Sequence, residues 1–300
     1  MEKMNRREFI RTGVSRLAGF SIAGAGIIHA GCASPADRTP VDRVGLGNSG
    51  LTVSRIAMGT GSVGGNKSSN QTRLGMDNFV RLAHHAYEQG IRFYDMADSY
   101  GSMPFVGEAV KSLPREKLTL LSKIWTHENG SDQILPVDRE LDRFRKEANT
   151  DYFDILLMHC LMEGSWAQTR THYMDALAKA KQDGIVKAVG ISSHHIDALN
   201  EAATNPWVDV IMARINPFGS KMDGSPEEVN AVLEKAKQNG KGIIAMKVFG
   251  EGTHVSDAER EQSIRYIVRE ANVHCMTLGL ESENQMDDAV DRVMKAAKSS

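Results

Sequence analysis

Short apolar runs alternate with longer amphipathic stretches along most of this chain. Runs at 55–58, 92–96, 118–122, 154–158, 186–191, 208–213, 242–247 and 274–278 have the length and composition of buried strands. Between them, stretches at 77–89, 104–112, 134–148, 168–183, 195–203, 226–238, 257–271 and 283–297 read as helices, with Gly90, Gly184 and Gly240 as stop signals. Eight strands alternating with eight helices predict an α/β fold, a closed (β/α)8 TIM barrel in a single domain, in preference to a doubly wound open sheet. Ahead of the first barrel strand, Arg43 to Ser54 holds two short strand-like pieces around a Gly/Asn turn, which predicts an N-terminal β-hairpin.

The first forty residues break the pattern. Asn5-Arg6-Arg7-Glu8-Phe9 precedes a weakly apolar Gly/Ala-rich stretch from Leu17 to Ile28, then small residues around Ala30-Gly31-Cys32-Ala33. This order reads as a twin-arginine export signal over 1–33, with 34–42 as a linker and 43–300 as the barrel. An amphipathic N-terminal helix is the alternative. The apolar stretch falls short of the roughly 20 residues that span a bilayer. Cys32 could accept lipid, although His29 stands where a lipobox has an apolar residue. The expectation is an exported, periplasmic protein that meets the twin-arginine machinery, with membrane contact only through a lipidated Cys32.

Composition supports one large buried core, with 41% hydrophobic and 25% charged residues in 300. The net charge of −2 provides no basic field for nucleic acid. Loss of residues 1–33 removes five cations, Lys3, Arg6, Arg7, Arg11 and Arg16, against Glu2 and Glu8, leaving a mildly acidic domain near −5. Cys160 and Cys275 then remain, and their strand-end positions predict core thiols instead of a disulfide.

Candidate chemistry gathers where barrels carry it, at the C-terminal ends of strands. Asp95 closes one apolar run, with Tyr100 in the loop that follows; Lys123 and His159 end the next two. A free phenol ionises near pH 10, and an adjacent ammonium favours its charged form. Tyr100 beside Lys123 can therefore exchange a proton with a carbonyl oxygen. Taken singly, each residue has a bland reading: a loop aromatic, a cap, a surface charge, a core histidine. Four in order at one rim point to a site. Gly59-Thr60-Gly61-Ser62-Val63-Gly64-Gly65 is a weak dinucleotide fingerprint, since no helix follows directly, and reads better as a mouth loop that a ligand approaches closely. His84-His85 and His194-His195 invite a metal reading, but His84 and His85 diverge by about 100° on their helix, and a centre of His194-His195 with His159 and Asp95 would leave Tyr100 and Lys123 unexplained. No metal is expected. Trp125 is expected to wall the substrate pocket.

From residue 42 to about 290 the chain resembles the aldo-keto reductases. The segments that carry the likeness include Asp95 to Gly101, Gly107-Glu108-Ala109-Val110, Asp151 to His159, Gly184 to Ser193 and Gly242 to Lys247. The resemblance implies an oxidoreductase passing hydride between a reduced nicotinamide and an aldehyde, ketone or sugar-like carbonyl. It gives Tyr100 as general acid, Lys123 as the partner that lowers its pKa, Asp95 as the anion pairing with Lys123, and His159 as the group orienting the substrate oxygen. For the nucleotide it points to Gly59 and Thr60, to Ser192 and Ser193 after the fifth strand, to Met212 on the sixth, to Lys247 on the seventh and to Ser282 and Gln285 after the eighth. Gln285 stands where many members place arginine on the 2′-phosphate, and Glu281 and Glu283 add negative charge, so NADH is expected to be favoured over NADPH. With only a helix after the eighth strand, an open and shallow pocket is expected. Two rival readings share the barrel: a nucleotide-binding sensor without turnover, and a metal-dependent hydrolase or isomerase.

Overall fold

The computed structural model describes residues 41–126 and 136–298. The twin-arginine motif, Cys32 and most of the proposed linker lie outside them. A two-stranded antiparallel hairpin, β1 (Arg43–Gly45) and β2 (Thr52–Ser54), comes first. The barrel strands are β3 (Ile56–Gly59), β4 (Phe93–Asp95), β5 (Thr119–Trp125), β6 (Phe153–Leu161), β7 (Val186–Ser193), β8 (Val210–Arg214), β9 (Gly242–Met246) and β10 (Cys275–Leu278). They pair in parallel in chain order, and β10 returns to β3, so the sheet closes.

Successive side chains of a strand point to opposite faces, and here the two faces build two cores. Phe93, Leu121, Ile155, Leu157, Val210 and Ile244 form one buried cluster inside the barrel. Their neighbours Tyr94, Leu120, Leu156, Met158, Ile211 and Ile243 belong to the second cluster, shared with the helices. Nearly unbroken apolar strands follow from burial on both faces. Leu46 and Val53 of the hairpin join the inner cluster. A methyl group on Gly242 would stand 2.6 Å from the Leu46 side chain, and Asn48 N–H donates to the Gly240 carbonyl at 2.8 Å. The hairpin therefore closes the end of the barrel where the strands begin, leaving the other end for chemistry.

The helices are α1 (Met76–Glu88), α2 (Met103–Val110), α3 (Val137–Glu147), α4 (Trp166–Thr169), α5 (Thr171–Gln182), α6 (Ile196–Thr204), α7 (Pro226–Gln238), α8 (Asp257–Arg269) and α9 (Glu283–Lys298). Ser225 with Glu228 and Ser256 with Glu259 form capping boxes that start α7 and α8. Phe79 and Leu82, Leu141 and Phe144, Leu233, Ile264 and Val290 are buried against the strands. Each such side chain contributes about 1.5–3 kcal/mol relative to exposure. Three expectations needed adjustment. The stretch 168–183 is two helices, broken at Arg170 (φ −117°, ψ 24°). Strands β5 and β6 also run beyond 122 and 158, because they stay paired as far as Trp125 opposite His159. Lys123 and His159 are thus strand residues, held more rigidly than strand-end residues would be.

Candidate active site

The inward phase that stacks Phe93, Leu121 and Leu157 in the core continues two residues further along each strand as Asp95, Lys123 and His159. Three buried polar groups are thus aimed at one mouth by strand periodicity alone. The fourth, Tyr100, ends a single 3-10 turn, Asp98–Tyr100. That turn is pinned from outside: Asp98 pairs with Lys67 and, at 2.9 Å, with Arg143 of α3.

Lys123 is 1% exposed and ion-paired to Asp95, and its ammonium also donates to the Met96 carbonyl at 2.9 Å. Thr277 of β10 donates its hydroxyl to the second Asp95 oxygen at 2.9 Å. The Lys123 ammonium lies 4.9 Å from the centre of the Tyr100 ring. The Tyr100 hydroxyl stands 3.4 Å from His159 Nε2. Burial works against the Lys123 ammonium more than any other single influence, but Asp95 and Tyr100 together outweigh it and hold the amine above the ordinary lysine value. For Tyr100, burial pushes the phenol up, Lys123 pulls it down, Asp95 pushes it up again, and the balance is upward. Lys123 acts in the expected direction but is outweighed, and the phenol keeps its proton at neutral pH.

The glycine loop has a role the sequence did not reveal. A methyl group on Gly61 would come 2.2 Å from Cε2 of Tyr100, and one on Gly64 would come 2.7 Å from Cδ1. The missing side chains admit the Tyr100 ring as a neighbour. Gly61→Ala should therefore displace Tyr100 and lower kcat by about tenfold or more, since small misplacements at a reacting group are expensive. Steady-state kinetics beside a melting curve checks this: an unchanged kcat in a folded variant contradicts the clasp.

A cleft of about 520 Å3 opens from Asp95 and Tyr100, within the range of small-molecule sites. It passes Gly59, Met212, Met246 and Lys247 and ends among Arg260, Asn284, Gln285 and Asp288, by the first turns of α9. Gly59, Met212, Lys247 and Gln285 of the expected nucleotide contacts line it. Others are placed differently. Thr60 is fully buried, its hydroxyl donating to the Asp95 carbonyl and accepting from the Ser102 hydroxyl, both at 2.7 Å. Ser193 is also fully buried, donating to the His195 carbonyl and facing Asp223. Both hydroxyls are thus engaged by partners within the protein. Ser192 is buried and accepts the Cys160 N–H at 2.8 Å. Ser282 is exposed, its hydroxyl accepting the Gln285 N–H in the first turn of α9. Gln285 turns its own side-chain oxygen to the Glu281 N–H.

Thr277 and Arg260 are site residues that sequence reasoning missed. Thr277 follows Cys275 in the inward phase of β10, so strand periodicity could have found it. Arg260 sits on α8 with no distinguishing pattern. Both cations of the cleft are engaged by carboxylates: Lys247 by Glu251, and Arg260 by Asp288 at 3.3 Å.

Trp125 packs its ring against His159, centres 5.5 Å apart. The histidine pairs separate: His84 meets the Ala109 carbonyl, His85 meets Asp287, and His195 caps α6. Burial and the nearby cations Arg214 and Lys247 push His194 down to about 4, so it is neutral at pH 7. Among the described residues, no three His, Cys, Asp or Glu side chains gather in metal-binding geometry. Cys160 and Cys275 are thiols, both pushed up by burial.

Residues 55–299 match the family model described as the aldo/keto reductase family. Among curated proteins, methylglyoxal reductase DkgB of Salmonella typhi is 29% identical over 188 residues, covering 62% of this chain and 67% of that protein. L-galactose dehydrogenase of Arabidopsis thaliana is 26% identical over 244 residues, 77% of this chain and 74% of that one. Among solved structures, the holo form of an aldo-keto reductase from Bacillus halodurans superposes with a TM-score of 0.64 over 86% of this chain and 96% of that one, at 17% identity. That likeness concerns the fold.

Proposed function

Because the chain belongs to the aldo/keto reductase family, we propose that it is an NAD(P)-dependent oxidoreductase that interconverts a small carbonyl compound and its alcohol, with Tyr100 as the proton donor and acceptor. The observation that carries this reading is the convergence of Tyr100, Lys123, Asp95 and His159, with Tyr100 and Asp95 lining a cleft of about 520 Å3 that runs to the start of α9. The donor set fits such a nucleotide: Asn284 and Gln285 line the far end of the cleft, and the start of α9 offers backbone N–H groups to phosphate. The nucleotide, when bound, supplies or takes the hydride at the carbonyl carbon.

The chain's own residues handle the oxygen. His159 Nε2 and the Tyr100 hydroxyl stand 3.4 Å apart, so a carbonyl oxygen that approaches both is oriented by the imidazole and reached by the phenol. The raised phenol pKa keeps the acid form populated at neutral pH, the form that reduction requires. As the proton leaves, the charge left on Tyr100 is met by Lys123, already fixed by Asp95 and the Met96 carbonyl and needing no rearrangement.

NADH is the preferred nucleotide in this proposal. Lys247 and Arg260 already carry carboxylate partners, and Glu281 and Asp288 line the same end, so a 2′-phosphate finds no uncommitted cation among the described residues lining the cleft. Calorimetric titration should show NADH binding at least as tightly as NADPH, and Gln285→Arg should move the ratio toward NADPH by about tenfold through a charge-assisted contact. NADPH binding ten times tighter to the parent contradicts this. Turnover of NADH against a panel of aldehydes, ketones and sugars tests the reaction class.

Residues 1–33 are proposed to act as a twin-arginine signal, which rests on Arg6-Arg7 ahead of a weakly apolar stretch. Arg6→Lys with Arg7→Lys should hold a full-length precursor in the cytoplasm, while the parent is recovered outside, beginning near 31–34. Recovery of the uncleaved parent from the cytoplasm overturns the export proposal and leaves the chemistry untouched.

A further inference from the structure

The His159 ring is held from two sides by features that the proposed chemistry does not itself require. From β5, Trp125 stands directly opposite His159 in the strand register, their ring planes at 88°. His159 also meets Tyr100, centres 5.5 Å apart and planes at 87°. From β7 comes a change of register. Met158 pairs with Ile191, but Leu161 pairs with Ser193, so β6 carries one residue more than its neighbour over this interval. That is a bulge, and it begins at the residue after His159. Cys160 takes up the extra length at φ +62°, a left-handed conformation that residues with a side chain adopt rarely. The Ser192 hydroxyl accepts the Cys160 N–H at 2.8 Å, and the ladder resumes where His194 N–H donates to the Leu161 carbonyl at 2.8 Å.

The bulge has a consequence for side-chain direction. Ile155 and Leu157 face the barrel interior, as does His159, so Leu161 would follow them in an unbroken strand. It is packed instead with the helix-side core, beside Leu156 and Met158. Inserting one residue at Cys160 therefore ends the inward phase at the imidazole and anchors the strand immediately beyond it.

We propose that Trp125 and the left-handed bulge at Cys160 are positioning elements that clamp the His159 imidazole against the Tyr100 hydroxyl. The proposal rests on the functional reading above and deepens it. Trp125 acts through His159, in addition to any contact it makes with substrate as a pocket wall. Cys160 acts through its backbone, so its thiol is dispensable and its φ is not.

The test uses four single variants and a double-mutant cycle in the full-length protein, with carbonyl kinetics, nucleotide Kd and melting curves for each. Trp125→Phe keeps a ring beside His159 and should stay within about threefold of the parent kcat; Trp125→Leu should lose about tenfold or more in kcat with nucleotide Kd unchanged. Cys160→Gly accepts the left-handed conformation and should retain kcat. Cys160→Val resists that conformation and should lose kcat. A merely structural role is separated by a double-mutant cycle: in a His159→Gln background, Trp125→Leu should cause little further loss. Fully additive losses overturn the clamp, as does a Trp125→Leu variant that raises KM across several carbonyls at constant kcat. Should Cys160→Val fail to fold, the Trp125 arm decides alone. If the parent turns over no carbonyl, the functional reading fails by itself, and a crystal structure of Trp125→Leu then judges the clamp: an unmoved His159 ring overturns it.

Discussion

Tyr100→Phe lowers carbonyl turnover by about 10²–10⁴-fold, the usual contribution of a positioned general acid, while nucleotide affinity and the melting temperature stay with the parent. The hydroxyl is the only group lost. Its ring remains clasped by the glycines at 61 and 64, so neither the turn Asp98–Tyr100 nor the cleft has reason to move. The raised pKa of the phenol sets the pH behaviour of the parent: reduction should persist through neutral pH and fall only in the alkaline range, where Tyr100 loses its proton. A Tyr100→Phe variant with most of its activity removes Tyr100 from the chemistry.

Lys123→Met has the second large effect, and it differs in kind. The ammonium is buried beside Asp95, so its removal leaves a buried carboxylate with the Thr277 hydroxyl as its remaining side-chain donor among the described residues. Breaking one side of a buried ion pair costs about 3–5 kcal/mol, and for a domain of this size the melting temperature should fall by about 10 °C. Turnover should fall as well, because the charge developing on Tyr100 no longer meets a cation. The two losses are separable. Adding Asp95→Asn to Lys123→Met removes the stranded charge and should recover much of the stability without recovering turnover. Recovery of both together would mean that Lys123 serves the fold alone.

The barrel was legible because both of its cores are apolar: strands buried on two faces stand out as unbroken hydrophobic runs, and helices as periodic ones. Asp95, Lys123 and His159 were legible as polar residues where such runs stop, and Tyr100 from the loop that follows. What escaped notice depends on packing between segments remote in sequence. Gly61 and Gly64 read as room for a ligand, whereas the group that fills the room is Tyr100, from a later loop. Thr60, after β3, and Ser193, at the end of β7, turn their hydroxyls to partners within the protein, which no one-dimensional pattern reveals. The register shift after His159 is equally silent, since nothing in Met158-His159-Cys160-Leu161 marks a left-handed cysteine. Arg260 reached the cleft through the placement of α8 against α9, a tertiary matter.

Hydride transfer can be followed atom by atom. NADH carrying deuterium at both C4 positions is mixed with the purified protein and an aldehyde from the panel, and the alcohol is analysed by mass spectrometry and proton NMR. One deuterium on the former carbonyl carbon, formed in step with NADH consumption and abolished in Tyr100→Phe, is the predicted result. Tight NADH binding with no deuterium in any product would contradict it and would identify the barrel as a nucleotide sensor.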